Sequence, residues 1–300
     1  MEQGSQDTRD RNPTWPTFLI VGSAKAGTTS VYHYLEQHPQ VYMSPVKEPQ
    51  YFSLTGQGRP KGAAMIGVTP TQEEYLELFK GVSDQKAVGE ASTAYLLSPT
   101  AAKRIAEAIP DVKIIIILRN PADRAFSGYL MQLRNATDNG RVEEAFDSDK
   151  KYVRHSFYYE NISRYIEYFP REQIGFFLFE ELRKNPDQVM RRVYRFLGVD
   201  DNFQAEIQQH NQAWVPKYRL LNSVRERLLR SEKLRKALQD TAIKRWFRRL
   251  TRVEPPRMTD EIYQRLIAYY REDIEKTQRL TGLDLSSWLN RNLEGEGRKR

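Results

Sequence analysis

The sequence predicts an α/β fold: a central, mostly parallel sheet flanked by helices, with a helical C-terminal part. Three observations carry this reading. Short apolar runs of strand length recur along the chain, bounded by turn residues. Helical patterns alternate with them. The strongest run, Lys113-Ile114-Ile115-Ile116-Ile117-Leu118, is apolar at five consecutive positions, four of them β-branched. Such a run is buried on both faces, as strands of parallel sheets are.

The elements follow in order. Residues 17–22 (Thr-Phe-Leu-Ile-Val-Gly) read as a buried strand, then a Gly-containing turn, then a helix from about Thr28 to Gln37. Residues 56–67 are rich in Gly, Lys and Pro and read as a loop. Ser98 before Pro99 predicts a helix start, with the helix running to about Ile109. After the strand at 113–118, Asn120-Pro121 ends the run and opens a helix reaching about Asn135. Residues 174–179 form another buried strand. Pro186 starts a helix that Gly198 ends. From Leu220 onward the pattern is helical, broken at Glu254-Pro255-Pro256. The expected organisation is one domain over 17–290 with flexible tails at 1–16 and 291–300.

Composition narrows the function classes. Of 300 residues 39% are hydrophobic and 29% charged, which suits a globular chain with a polar surface. No apolar stretch reaches the length of a membrane span. The first residues lack the apolar core of a secretory signal, so a cytoplasmic protein is expected. There is no cysteine, which excludes disulfides, thiolate metal sites and a cysteine nucleophile. His33, His38, His155 and His210 show no metal-binding spacing, so no metal is expected. The net charge is +8. It is concentrated between Lys217 and Arg252, where 13 Lys/Arg face 3 Asp/Glu. Leu221, Val224, Leu228 and Leu229 give this segment an apolar stripe among its arginines. A solvated face, or docking of an acidic carrier protein, an anionic lipid or a sulfated polymer, are the readings left open there. No nucleic-acid-binding module is evident.

Two segments carry chemistry. The first is Gly22-Ser23-Ala24-Lys25-Ala26-Gly27-Thr28-Thr29-Ser30, placed after a buried strand and opening a helix. Backbone amides and a helix N-terminus in this setting bind phosphate. A Walker A loop, GxxxxGK[ST], would have lysine where Thr28 stands. Here the lysine lies inside the loop, at Lys25. A P-loop kinase or nucleoside triphosphatase, the alternative function, would lack its clamping lysine and a magnesium-binding carboxylate at the strand end. The second segment is Leu118-Arg119-Asn120-Pro121-Ala122-Asp123-Arg124-Ala125-Phe126-Ser127. Arg119 ends a buried strand, and Ser127 lies in the first turns of the next helix. A guanidinium fork with a hydroxyl suits a phosphate dianion. Two anion sites imply a ligand phosphorylated at two places, and 3′-phosphoadenosine 5′-phosphosulfate (PAPS) is such a ligand.

Together these residues resemble the PAPS-dependent sulfotransferase family, over a span from Phe18 to about Leu289. Residues 18–35 look like its 5′-phosphosulfate loop and 115–129 like its 3′-phosphate motif. Pro45-Val46-Lys47-Glu48-Pro49-Gln50-Tyr51-Phe52 resembles the Lys-Glu-Pro segment of the carbohydrate-type branch. Phe179-Glu180-Glu181-Leu182 and Phe196-Leu197-Gly198 resemble later landmarks. The resemblance implies sulfuryl transfer from PAPS to a hydroxyl by in-line displacement, releasing adenosine 3′,5′-bisphosphate (PAP), with no metal required. Ser23, Lys25, Ala26, Gly27, Thr28, Thr29 and Ser30 would hold the 5′-phosphosulfate. Arg119 and Ser127 would hold the 3′-phosphate, with Lys217 and Arg219 as further phosphate contacts. Lys25 and Glu48 would be catalytic, Glu48 as general base. Lys47, Gln50, Glu90, Tyr95 and Tyr158 are candidates to border the acceptor. The acceptor itself, a small alcohol, lipid, saccharide or carrier-borne chain, is left open. Relatives acting on heparan-type sugars carry a histidine where this chain has Gln50 and a lysine where it has Ala91, which points away from a glycosaminoglycan. His33 and His38 are expected on a helix surface.

Overall fold

The structure, a computed structural model, describes residues 14–54, 69, 71–134, 142, 145–146, 150–207, 215–216, 252–253 and 255–289. They fall into two compact units, one drawn from residues 14–118 and 164–207, the other from 119–163 and 215–289. Lys217, Arg219 and nearly all of the basic segment lie outside the described residues, as do the loop at 56–67, His210 and the tail at 291–300.

The first unit holds the sheet. Its strands are β1 (Phe18–Gly22), β2 (Val41–Met43), β3 (Ala87–Ala91), β4 (Lys113–Leu118) and β5 (Ile174–Leu178). They run in the order β2-β3-β1-β4-β5, and every pairing is parallel. β1 and β3 are buried along their whole length, and β4 at every residue but its first. This is the two-sided burial that an unbroken apolar run demands. The chain builds β2 and β3 on one side of β1, then β4 and β5 on the other. The order therefore reverses beside the C-terminal end of β1, the place where open parallel sheets bind ligands. The β1–β4 register also slips between Ile20 and Gly22, just before the loop. Such irregularities re-aim the chain near functional sites.

The helices of this unit are α1 (Thr28–Glu36), α2 (Tyr51–Leu54), α3 (Gln72–Glu77), α4 (Ala94–Leu97) and α5 (Ala101–Ala108). Ser98 does not start α5 as the sequence suggests. It ends α4, and α5 begins after Thr100, because Pro99 and Thr100 are spent turning the chain between two helices. His38 is likewise not on the surface. It is buried, with Nε2 bonded to the Asp200 carbonyl at 2.9 Å and Nδ1 accepting the Gln40 amide at 3.1 Å. Trp15 and Pro16 do not belong to a flexible tail. Pro16 is buried, and the Trp15 ring packs on Tyr51, Phe52 and Tyr75.

The second unit contains α6 (Pro121–Arg134), α7 (Lys151–Arg154) and the start of α8 (Tyr159–Tyr168). Helices α9 (Phe179–Lys184) and α10 (Pro186–Leu197) return to the first unit. α9 opens at Phe179, so β5 stops one residue short of the expected end. In α10 the Asn185 side chain accepts the Gln188 amide and Gly198 closes the helix in the left-handed region at φ 79°. The second unit then adds a short antiparallel pair, β6 (Val215–Pro216) with β7 (Arg252–Val253), and the long helix α11 (Asp260–Thr281). Thr259 caps α11 through the Ile262 amide, and Gly282 ends it. None of the described helices is long and apolar enough to cross a membrane.

Candidate active site

Each catalytic candidate of the first unit follows a parallel strand, so they share the C-terminal edge of the sheet. The loop after β1 is tied down at its start. The Ser23 amide and hydroxyl both donate to the Ile117 carbonyl of β4, at 2.8 and 3.1 Å. The Ala26 amide closes back on Ser23 at 3.2 Å. Ser23, Ala26 and Thr28 are buried, while Lys25, Gly27, Thr29 and Ser30 are partly exposed. Lys25 and Gly27 both take left-handed backbone, at φ 73° and 85°. A Cβ on Gly27 would also come within 2.9 Å of the Phe179 ring and 3.0 Å of Leu182, so only glycine fits. Gly27 is the cap of α1 and brings no side chain to its first-turn amides. The Ser30 amide closes on the Gly27 carbonyl at 3.0 Å, and the start of α1 is not covered by a capping side chain, as at other anion-binding helix starts.

Glu48 stands between β2 and α2 and is pinned to β3. Its amide donates to the Ala91 carbonyl at 2.9 Å, and the Gln50 amide donates to Ser92 Oγ at 3.0 Å. Three donors converge on its carboxylate. The Thr93 amide reaches Oε2 at 2.9 Å, the Thr93 hydroxyl reaches Oε1 at 2.9 Å, and Lys47 Nζ reaches Oε1 at 3.1 Å. The Glu48 side chain keeps 29% of its exposure. It is therefore held yet accessible. Among the described residues, Lys25, Glu48 and Gln50 are the three non-glycine residues with positive φ, the latter two at 62° and 58°. Such backbone costs about 1–3 kcal/mol per residue and clusters at functional sites. All three were expected at the site on sequence grounds.

Glu90 and Tyr95 lie beneath this segment. Both are fully buried, so they reach an acceptor only through the residues they support. The Tyr75 hydroxyl donates to Glu90 Oε1 at 3.3 Å, while Glu90 Oε2 is buried without a partner. Burial pushes the Glu90 carboxyl up from 4.5 to about 8, and the charge of Glu48 adds to the effect. The chain thus carries a buried, neutral acid under the partly exposed carboxylate of Glu48.

In the second unit, Arg119 and Ser127 are partly buried. Asn120 is the anchor between them. Its Oδ1 accepts the amides of Ala122 and Asp123 at 3.0 and 3.2 Å, which caps α6. Its Nδ2 donates to the Tyr263 hydroxyl and the Trp288 carbonyl, at 3.0 and 3.2 Å. Tyr158 is fully buried, and its hydroxyl donates to the Arg119 carbonyl at 2.8 Å. It fixes the backbone that presents Arg119, rather than facing a substrate itself. Arg124, also buried, donates to the Tyr152 carbonyl at 3.0 Å and to Ser156 at 3.3 Å.

Comparison with known proteins decides the family. The sulfotransferase domain profile matches residues 16–281. The chain belongs to the sulfotransferase domain family. Its relatives include the human bifunctional heparan sulfate N-deacetylase/N-sulfotransferase 3, 28% identical over 93% of this chain and 32% of that protein. The bovine bifunctional heparan sulfate N-deacetylase/N-sulfotransferase 2 is 31% identical over 61% of this chain and 22% of that protein. The sulfotransferase thus spans about a third or less of the length of these relatives. Among solved structures, a sulfotransferase from Alicyclobacillus acidocaldarius is 30% identical, covers 92% of this chain and all of its own, and superposes with a TM-score of 0.69. The P-loop kinase alternative finds no support in these matches.

Sequence reasoning missed Thr93. It lies 45 residues from Glu48 and outside the Lys-Glu-Pro segment. Only the β2–β3 pairing brings the two together. Among the described residues, no group of three or more His, Asp or Glu side chains is placed to hold a metal.

Proposed function

We propose that this sulfotransferase takes its sulfuryl group from PAPS and delivers it to a hydroxyl or an amine, with Glu48 as general base. The observation that carries the reading is Glu48 itself: a partly exposed carboxylate on strained backbone, held at both oxygens, on the same sheet edge as Lys25. PAPS supplies an activated sulfuryl group on a good leaving group. The chain's residues fit it. Gly27 and the first-turn amides of α1 leave room and donors for a 5′-phosphosulfate. Lys25 brings a positive charge to oxygen that gains negative charge as the bond to sulfur breaks. Arg119 and Ser127 offer a guanidinium and a hydroxyl for the 3′-phosphate.

Glu48 accepts the proton of the attacking hydroxyl or amine, which neither group sheds at neutral pH unaided. The relatives named as N-sulfotransferases favour keeping the amine beside the hydroxyl. Gln50 and Ala91 stand where the heparan-type pattern has a histidine and a lysine, which weighs against an acidic sugar as the acceptor.

Lys25→Ala tests the reading. PAP release from PAPS should fall about 10²-fold or more, as when one stabilising donor is removed from a site of developing charge. PAP affinity, measured by calorimetry, should change much less. Turnover equal to wild type would remove Lys25 from the chemistry and the proposed donor site with it.

A further inference from the structure

Thr93 sits where a helix cap normally works. It precedes α4, and a threonine there usually bonds its own helix's second or third amide. Its hydroxyl makes no such bond, and its backbone is already helical at φ −69°, ψ −14°. The hydroxyl is instead turned across to β2's side of the edge, onto Glu48 Oε1 at 2.9 Å. The amide of the same residue takes Oε2 at 2.9 Å. One residue therefore grips both oxygens and sets the plane of the carboxylate.

The anchor is itself fixed. The Ser92 amide donates to Ile20 of β1 at 3.0 Å, and the Tyr95 amide donates to Ser92 at 3.1 Å. Ser92 Oγ holds the Gln50 amide. The other donor to Glu48, Lys47 Nζ, rides on a flexible stem and retains 24% exposure. It adds charge near Oε1 but fixes little. A carboxylate that must meet an incoming N–H or O–H within hydrogen-bond reach needs the rigid partner.

We propose that Thr93 is the positioning residue of the general base, aiming the Glu48 carboxylate at the acceptor through its amide and hydroxyl. This rests on the reading of Glu48 as the base. The role belongs to a side chain outside the Lys-Glu-Pro segment and outside both anion-binding loops.

Thr93→Val keeps the amide and the branched shape and deletes only the hydroxyl. Thr93→Ser keeps the hydroxyl. PAP release from PAPS is followed with ethanolamine, which offers both an amine and a hydroxyl, and with water alone as the slow acceptor. Thr93→Val should lose about 10- to 100-fold in kcat, the scale of a small misplacement of a reacting group. KM for PAPS and calorimetric PAP affinity should hold, and Thr93→Ser should recover most of the rate. In the Glu48→Gln background, Thr93→Val should cost little more, since the two act as one unit. If Glu48→Gln alone turns over like wild type, the base reading fails and this role with it. If Glu48→Gln is slow but Thr93→Val is not, the positioning role alone is overturned. A loss in Thr93→Val that serine does not recover, or that PAP affinity shares equally, also overturns it by marking the hydroxyl as structural.

Discussion

Glu48→Gln is expected to lose about 10²–10⁴ in kcat for PAPS turnover while folding normally and binding PAP as before. Glutamine fills the same volume; its oxygen can still accept from the Thr93 amide, and its NH2 can donate to the Thr93 hydroxyl oxygen, so the scaffold is kept. What it cannot do is take a proton from the acceptor. Its backbone would remain in the left-handed region at φ 62°, held by the amide bond to Ala91. A loss confined to kcat therefore reads on the chemistry. The check is PAP release against PAPS concentration, with thermal melting and PAP calorimetry as controls. Rates like wild type across several amine and alcohol acceptors would remove Glu48 as the base.

The second large effect concerns Glu90 and stability. Its carboxyl titrates at about 8 in the folded chain because it is fully buried, against an ordinary value of 4.5. The groups around it are Tyr75, Tyr95 and Ser92, with the charge of Glu48 and the buried Tyr165 hydroxyl also felt. Below pH 4.5 the acid is neutral whether folded or not, and its burial costs least. Between 4.5 and about 8 the unfolded chain sheds this proton and the folded chain keeps it, so stability falls as pH rises. At about 1.4 kcal/mol per pH unit the fall amounts to several kcal/mol over that window. Glu90→Gln cannot ionise and should lack this contribution. Whatever its melting temperature at pH 5, where an amide must fit the same buried site, it should gain on wild type steadily up to pH 8. Melting curves measured in parallel across that range give the test. Two curves that stay parallel would mean Glu90 keeps an ordinary titration and is not sealed from water.

How much of this was legible beforehand depended on the range of the interaction. β1, β4 and the helices after them follow from local pattern: five apolar residues in a row have one comfortable environment, and Asn120-Pro121 or Asn185-Pro186 has one natural use. The loop at 22–30 was legible for the same reason, since its glycine, lysine and hydroxyls carry their meaning in order. Thr93 was not. Its partner, Glu48, is 45 residues away and is chosen by strand pairing. His38 was misjudged because its acceptor, the Asp200 carbonyl, lies 162 residues away. Glu90 and Tyr95 drew attention as polar groups near the site, and pattern alone does not tell a residue that faces the acceptor from one buried under it. The boundaries missed at Ser98 and Phe179 have a simpler cause, because a short helix ends just before the turn at Pro99 in one case and begins directly after β5 in the other.

The central claim is a donor site for a nucleotide carrying a 5′-phosphosulfate and a 3′-phosphate, without metal. Calorimetric titration with PAP in excess EDTA, beside ATP with Mg²⁺, tests it most directly. Binding of PAP in the micromolar range with no heat from ATP is the expected result. Tight ATP binding that requires Mg²⁺, with none for PAP, would contradict it.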